Sequence, residues 1–251
     1  VNELQENVET SLKISDKKYP VAEIFTSPQG EGLYTGTLMT FIRLAGCSVG
    51  KKFPTEMYHD TDFPVYLEQC TTYDGRAFCC DTDFRTKSVM SLKDIMKQIP
   101  DDVVHVCITG GEPLIHDLSP LIAFLIARQT NAKVYGPFIH IETSGTVSLS
   151  SYIAECIENG IIWLTVSPKL GVLPDVLDLA DEVKLLVDDD FDESKLPVGK
   201  WQDKVGTIVW IQPINGEKSI HARNMGKVLG LQKRHSLWRI SSQMHKIWSV
   251  R

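Results

Sequence analysis

Two rhythms of apolar residues run along the chain. Short stretches rich in β-branched residues recur as "TLMTFIRLAGC", "VVHVCITGG", "PFIHIETSG", "IIWLTVSPK", "EVKLLVD" and "GTIVWIQPI", and each predicts a β-strand. Between them the apolar positions take helical spacing. "SVMSLKDIMKQI" carries a serine cap, "LSPLIAFLIARQ" repeats the spacing, "LSSYIAECIENG" is closed by Gly160, and "EKSIHARNMGKVLGLQ" supplies a further helix. A short apolar run ending in turn residues, "PVAEIFTSPQGEG", precedes the first strand, and "WRISSQMHKIW" predicts a last extended segment. Two regions follow neither rhythm. Residues 1–19 are polar and predict a loose arm, and residues 48–79 predict a long functional loop or insertion.

Strand–helix alternation of this kind predicts a parallel α/β domain spanning residues 1–251. About six strands fit, fewer than the eight of a complete barrel, so the expected architecture is an incomplete, partial TIM-like (β/α) barrel. Ligands of such folds lie at the carboxyl ends of the strands. The unusual motifs fall there: Gly46-Cys47, Gly110-Gly111-Glu112-Pro113, Glu142-Thr143-Ser144-Gly145, Ser167-Pro168-Lys169 and Gln212-Pro213.

Composition narrows the class further. The 251 residues are 43% hydrophobic and 23% charged, as in a globular domain with a sizeable core. A net charge of -6 gives no general attraction to nucleic acid or to an anionic membrane. No apolar run approaches the roughly 20 residues that span a bilayer, and the polar amino end lacks a signal's apolar core. A cytoplasmic location is therefore expected. There the six cysteines read as ligands, catalysts or core residues, not as a disulfide framework.

Cys107 and Cys156 sit in apolar strand and helix patterns and read as small buried hydrophobes. Cys47, Cys70, Cys79 and Cys80 bracket the irregular segment instead. None of their spacings is that of a zinc knuckle, and the adjacent Cys79 and Cys80 tend to point apart. Three thiolates suit a cubane iron–sulfur cluster, whose fourth iron would lack a protein ligand. Such an iron can chelate an amine and a carboxylate, as at the methionyl end of S-adenosylmethionine. The acidic run "VDDDFDESK" lacks the glycine and final glutamate of a calcium loop and reads as solvated, and "HKIW" carries a His and Lys within reach of a site but reads first as a packed tail.

"GC…CDTDF" followed by "ITGGEPL" resembles the radical S-adenosylmethionine superfamily. With "SPQGEG", "FIRLAGC", "IETSGT" and "VSPK" added, the chain resembles the 7-carboxy-7-deazaguanine synthase family, from about Tyr19 to the "QMHKIW" tail. It departs from that family at one place. The family's last two cluster cysteines are separated by two residues, and Ala77 stands where the first of them belongs. The middle ligand is then Cys70 or Cys79. "CTTYDGRAFCCDTDF" is turn-rich and long enough to fold back, whereas Cys79 abuts the third ligand, so Cys47, Cys70 and Cys80 are the expected set for a 4Fe-4S cluster.

The resemblance implies further roles. Thr82 would bind Mg2+ near the substrate carboxylate. Gly110, Gly111 and Glu112 would hold the amino group of S-adenosylmethionine, and Ser144, Ser167, Pro168 and Lys169 would contact its carboxylate and ribose. Cys79, Asp81 and Gln212 would lie on its adenosine side. Pro28, Gln29, Gly30 and Glu31 would form a pterin-binding loop, with Arg43 as a fork for a carboxylate and Thr109 as another substrate contact. The implied reaction converts 6-carboxy-5,6,7,8-tetrahydropterin to 7-carboxy-7-deazaguanine with loss of ammonia. A homodimer and a flavodoxin-like electron donor are implied as partners, with no direct nucleic-acid contact. Two other readings are a different small radical enzyme, such as a glycyl-radical activase, and a non-enzymatic zinc-stabilised binding module. The first keeps a compact cysteine spacing absent here; the second requires four thiolates on one ion.

Overall fold

Period-two alternation in the strand segments sorts two chemistries onto the two faces of one sheet. The computed structural model of the chain describes residues 16–52, 68–80, 82–129, 138–202, 206–215 and 221–250. Its first elements are β1 (Lys18–Pro28), β2 (Leu38–Leu44), β3 (Lys51–Lys52), β4 (Glu68–Thr71), β5 (Ala77–Cys80), β6 (Ser88–Ser91) and α1 (Leu92–Met96). Strands and helices then alternate: β7 (His105–Gly110), α2 (Ser119–Gln129), β8 (Ile139–Thr143), α3 (Ser151–Glu158), β9 (Ile162–Val166) and α4 (Pro174–Leu179). The chain continues with β10 (Glu182–Val187), β11 (Ile208–Pro213), α5 (Ala222–Arg234), β12 (Arg239–Ile240) and α6 (Met244–Trp248).

Among the described residues nine strands form a sheet of order β12-β11-β10-β9-β8-β7-β2-β1-β6. Every neighbouring pair from β2 to β12 is parallel, and β1 runs antiparallel to both β2 and β6. The sheet is open, with β12 and β6 at its edges. The parallel run therefore has seven strands where about six were expected, the seventh being the two-residue β12.

Four sequence expectations are corrected. Ser88–Ser91 is a strand paired with Lys18–Val21, and the helix starts only at Leu92, with the Ser91 hydroxyl accepting from the Asp94 amide at 3.2 Å. The amino-terminal arm ends before residue 19: Tyr19 is core, and its hydroxyl donates to the Asp117 carbonyl at 2.8 Å. The described parts of 48–79 include a small antiparallel sheet, β3-β4-β5, instead of irregular loop alone. The last extended segment is a short strand followed by a helical turn, α6.

One sheet face carries Ile42, Leu44, Val106, Ile108, Ile139, Ile141, Leu164, Val166, Val183, Leu185 and Ile211. These pack with Leu92, Leu121, Leu125, Ile153, Val176, Val228 and Leu231 from the helices, and burial of each large side chain contributes about 1.5–3 kcal/mol. The alternate positions face the other way: Met39, Phe41 and Cys107 form a second, smaller apolar cluster, and Arg43, Thr109, His140, Glu142, Trp163, Thr165, Glu182, Lys184, Trp210 and Gln212 are polar or aromatic. Glu182 on this face is buried and accepts from the Leu33 amide at 2.6 Å, the Thr165 hydroxyl at 3.1 Å and the Trp210 indole at 2.9 Å. Tyr34, from the loop after β1, lies edge-on to His140 and Trp163. No helix among the described residues is long and apolar enough to cross a membrane.

Candidate active site

The polar face opens, at the carboxyl ends of its strands, into a cavity of about 970 Å³. Cys47, Cys70, Cys79 and Cys80 all line it. Cys47 follows β2 directly, and its sulfur accepts from the Val49 and Gly50 amides at 3.4 and 3.1 Å. The other three belong to the β4–β5 hairpin, where Cys70 pairs with Phe78 and Gln69 with Cys79. Paired residues share a face and successive residues alternate, so Cys70, Phe78 and Cys80 face one way and Cys79 the other. Thr82 lines the cavity just beyond, and Asp81 lies outside the described residues. Among the described residues no three His, Cys, Asp or Glu side chains converge tightly enough to hold a single metal ion.

Gly110 and Gly111 also line the cavity, and their missing side chains make room for protein. A Cβ on Gly110 would lie 2.1 Å from the Leu44 carbonyl oxygen, and one on Gly111 would lie 2.2 Å from that of Gly46. The two glycines thus let the end of β7 close against the turn that carries Cys47. Glu112 does not line the cavity, and its carboxylate is fully buried. It accepts from the Leu114 amide at 3.1 Å, the Thr143 hydroxyl at 2.7 Å, the Ser144 amide at 2.8 Å and the Ser144 hydroxyl. Four protein donors surround this one carboxylate, so the Glu112 side chain braces the end of β8. Ser144 lines the cavity from that braced turn.

Ser167 and Lys169 line the cavity after β9, while Pro168 is buried and does not. The Lys169 amine donates to the Ser167 carbonyl at 3.0 Å and hydroxyl at 2.8 Å, and stands 5.7 Å from the Phe78 ring centre. Burial lowers its pKa; the neighbouring Lys184 adds to the effect, and the thiols of Cys70 and Cys80 oppose it.

The opposite wall is a network of carboxylates and amides. Glu142 accepts from the Gln29 amide group at 3.1 Å and from the Thr109 hydroxyl at 3.0 Å. The Gln29 oxygen accepts from the backbone amides of Gly30 and Glu31 at 2.9 and 3.2 Å, which fixes the loop after β1. Glu31 forms a buried ion pair with Lys184 and accepts from Gln212 at 3.2 Å. Arg43, opposite Thr109 in the β2–β7 register, extends into the same space with its guanidinium 5.7 Å from the Phe25 ring. Pro28, the last residue of β1, completes this wall.

No protein-family model matches the chain. Whole-length relatives are nevertheless evident. The 7-carboxy-7-deazaguanine synthase of Synechocystis sp. is 32% identical, covering 93% of this chain and 94% of its own length. The synthase of the same name from Escherichia coli K12 is 30% identical over 93% of this chain and 99% of its own. The chain belongs to the 7-carboxy-7-deazaguanine synthase family. The crystal structure of QueE from Escherichia coli superposes with a TM-score of 0.58 at 27% identity, covering 92% of this chain and 97% of that one.

Within this family member, the residues singled out from sequence gather around one cavity, apart from Glu112 and Pro168 behind its wall and the undescribed Asp81. Gln212 donates to Glu31 at 3.2 Å and so stands beside the loop after β1. Sequence reading placed Glu142 in a strand-end motif without giving it a role, and passed over Lys184. The signal for Lys184 was present: one lysine inside the apolar run "EVKLLVD", at a position of inward register. For the tail it preferred packing over an approach of its His and Lys to the active site, whereas His245 and Lys246 line the cavity and a Cβ on Gly30 would lie 2.3 Å from the His245 ring.

Proposed function

We propose that the protein is a radical S-adenosylmethionine enzyme that converts 6-carboxy-5,6,7,8-tetrahydropterin to 7-carboxy-7-deazaguanine with loss of ammonia, a carbon–nitrogen lyase of 7-deazaguanine (queuosine-type) biosynthesis. The carrying observation is one cavity whose lining residues include Cys47, Cys70, Cys79 and Cys80 as well as the Glu142 and Glu31 networks. This donor set fits an iron–sulfur cluster better than a zinc site, because Cys79 faces away from Cys70 and Cys80 while a structural zinc needs four ligands on one ion. Cys47, Cys70 and Cys80 would hold a 4Fe-4S cluster, each on its own iron. When bound, the cluster and S-adenosylmethionine supply a carbon-centred radical able to take a hydrogen atom from an unactivated carbon.

The chain's own residues bind and orient. Arg43 presents a fork of donors for the pterin carboxylate, and Thr82 offers one hydroxyl to a Mg2+ ion that keeps waters. Glu31, paired with Lys184, and Gln29 read the donor and acceptor edge of an aminopyrimidinone ring from beside Pro28 and Gly30, with Thr109 adjacent. On the cysteine side Gly110, Gly111, Ser144, Ser167 and Lys169 form the S-adenosylmethionine wall, and Asp81 and Cys79 flank its adenosine end. We infer in addition that the open sheet curves as a partial barrel with the cavity on its concave face. The protein acts, on this reading, as a single cytoplasmic domain that pairs into a homodimer and takes electrons from a flavodoxin-like donor.

The test is anaerobic. Reconstituted protein is mixed with S-adenosylmethionine, a strong reductant, Mg2+ and 6-carboxytetrahydropterin, and the products are read by mass spectrometry. 7-Carboxy-7-deazaguanine is expected. 5′-Deoxyadenosine without that product would refute the substrate and keep the cofactor, and a colourless protein that binds zinc would refute both.

A further inference from the structure

We propose that Tyr73, Arg76 and Asp188 form a clasp that positions the cysteine hairpin, and hence Cys70 and Cys80, across the cavity; the part that concerns the cluster rests on the reading of those thiols as its ligands. The segment from Cys47 to Phe84 is pinched at its stem, where the Gly46 amide donates to the Phe84 carbonyl at 2.9 Å. Its far end is a tight turn in which Thr72 and Gly75 close on Arg76 and Thr72 at 2.9 and 3.1 Å. That tip does not rest near the stem. It reaches the loop after β10, and β7, β8 and β9 lie between β2 and β10 in the sheet.

The docking is specific. The Tyr73 hydroxyl donates to the Asp192 carbonyl at 2.8 Å, and its buried ring meets Phe191 edge-on at 5.9 Å. The Arg76 Nε donates one bifurcated bond to both Asp74 carboxylate oxygens at 2.9 and 2.8 Å, while the guanidinium forms an ion pair with Asp188 and stands 5.9 Å from the Phe191 ring. Asp188, Phe191 and Asp192 belong to "VDDDFDESK", so this run is not the purely solvated loop its composition suggests. A small ribbon such as β4–β5, four residues per strand, is marginal without packing on something else. The clasp provides that packing three residues after Cys70 and four before Cys80. The hairpin is a strap tied at both ends, and the tie at its tip sets where the two thiols stand.

The experiment compares wild-type protein with Arg76→Ala, Asp188→Asn, Tyr73→Phe and the conservative Arg76→Lys. In metal-free protein, labelling of each cysteine by N-ethylmaleimide is timed by peptide mass spectrometry, with the fully buried Cys107 as internal control for global unfolding. In reconstituted protein, loss of iron to a chelator is timed. Removing the charged partner should speed Cys70 labelling and iron loss by about tenfold, Tyr73→Phe by roughly threefold, and Arg76→Lys should recover part of the loss, with Cys107 unlabelled throughout. Should Arg76→Ala expose Cys107, the milder Tyr73→Phe decides. Unchanged Cys70 labelling overturns the clasp, as does faster labelling with unchanged iron loss. A wild-type protein that takes up no cluster refutes the proposed function instead, and Cys70 labelling then decides the clasp alone.

Discussion

Lys184, in the middle of β10, reaches across the cavity wall to form a largely but not fully buried ion pair with Glu31, whose carboxylate also accepts from Gln212. Burial alone would lower the lysine's pKa; the charges of Glu31 and Glu142 outweigh it and raise it. A raised lysine pKa stabilises the fold fully below its unfolded value of about 10.4 and is lost only as pH rises further, so the pair is intact at neutral pH. Replacing Lys184 by Met strands a buried carboxylate and should cost about 3–5 kcal/mol in urea unfolding of the metal-free protein. Adding Glu31→Gln should recover most of that loss, because the stranded charge is removed too. A single-variant cost under about 1 kcal/mol would mean that the pair behaves as a solvated one.

Glu112 offers a separation of bracing from binding. Its carboxylate is filled by Thr143, Ser144 and Leu114 donors, two on each oxygen, so Glu112→Gln replaces one acceptor oxygen by an NH2 donor that faces protein N–H and O–H donors. Stability should fall by about 2–3 kcal/mol, and S-adenosylmethionine affinity by about tenfold through the displaced Ser144. Chemical unfolding and calorimetric titration measure the two separately. Weaker S-adenosylmethionine binding with unchanged stability would return Glu112 to the role of a direct ligand.

The parallel strands were legible because β-branched runs end in glycine or polar motifs, and the site was legible because those motifs share one sheet edge. What escaped depended on contacts distant in sequence. Ser88–Ser91 reads equally as strand or first helical turn, and pairing with Lys18–Val21 decides it. Two-residue β12 is too short to show a period. The burial of Glu112 follows from donors on β8, and the docking role of Asp188 from Tyr73 and Arg76, which no local pattern announces. Lys184 was hidden by its own strand, since a run of Leu and Val reads as core unless each position is assigned a face.

His140 predicts a pH window for stability. It is buried on the polar face, with its ring 3.0 Å from the His105 ring nitrogen, and burial together with that neighbour lowers its pKa to about 3. The unfolded chain takes up this proton near pH 6.5 and the folded one does not, so between these values stability rises with pH and above them it is level. From pH 7.5 to 5 the wild type should lose about 2 kcal/mol more than His140→Gln, measured as urea midpoints at both values. Parallel pH profiles for the two proteins would show that the ring protonates in place.

The cysteine assignment yields the sharpest separation, because the two candidates for the middle ligand lie on opposite faces of the same ribbon. Cys70 is paired with Phe78, which shares its face with Cys80, and both thiols lie close enough to Lys169 to act on its charge. Cys79 is paired with Gln69 and faces away. Cys70→Ala should therefore leave the protein unable to retain a stoichiometric cluster, while Cys79→Ala should keep its iron content and visible absorbance and change at most its affinity for S-adenosylmethionine. The reverse pattern would require the ribbon to turn over when the cluster assembles, and the strand register that orders these thiols would then belong only to the metal-free protein.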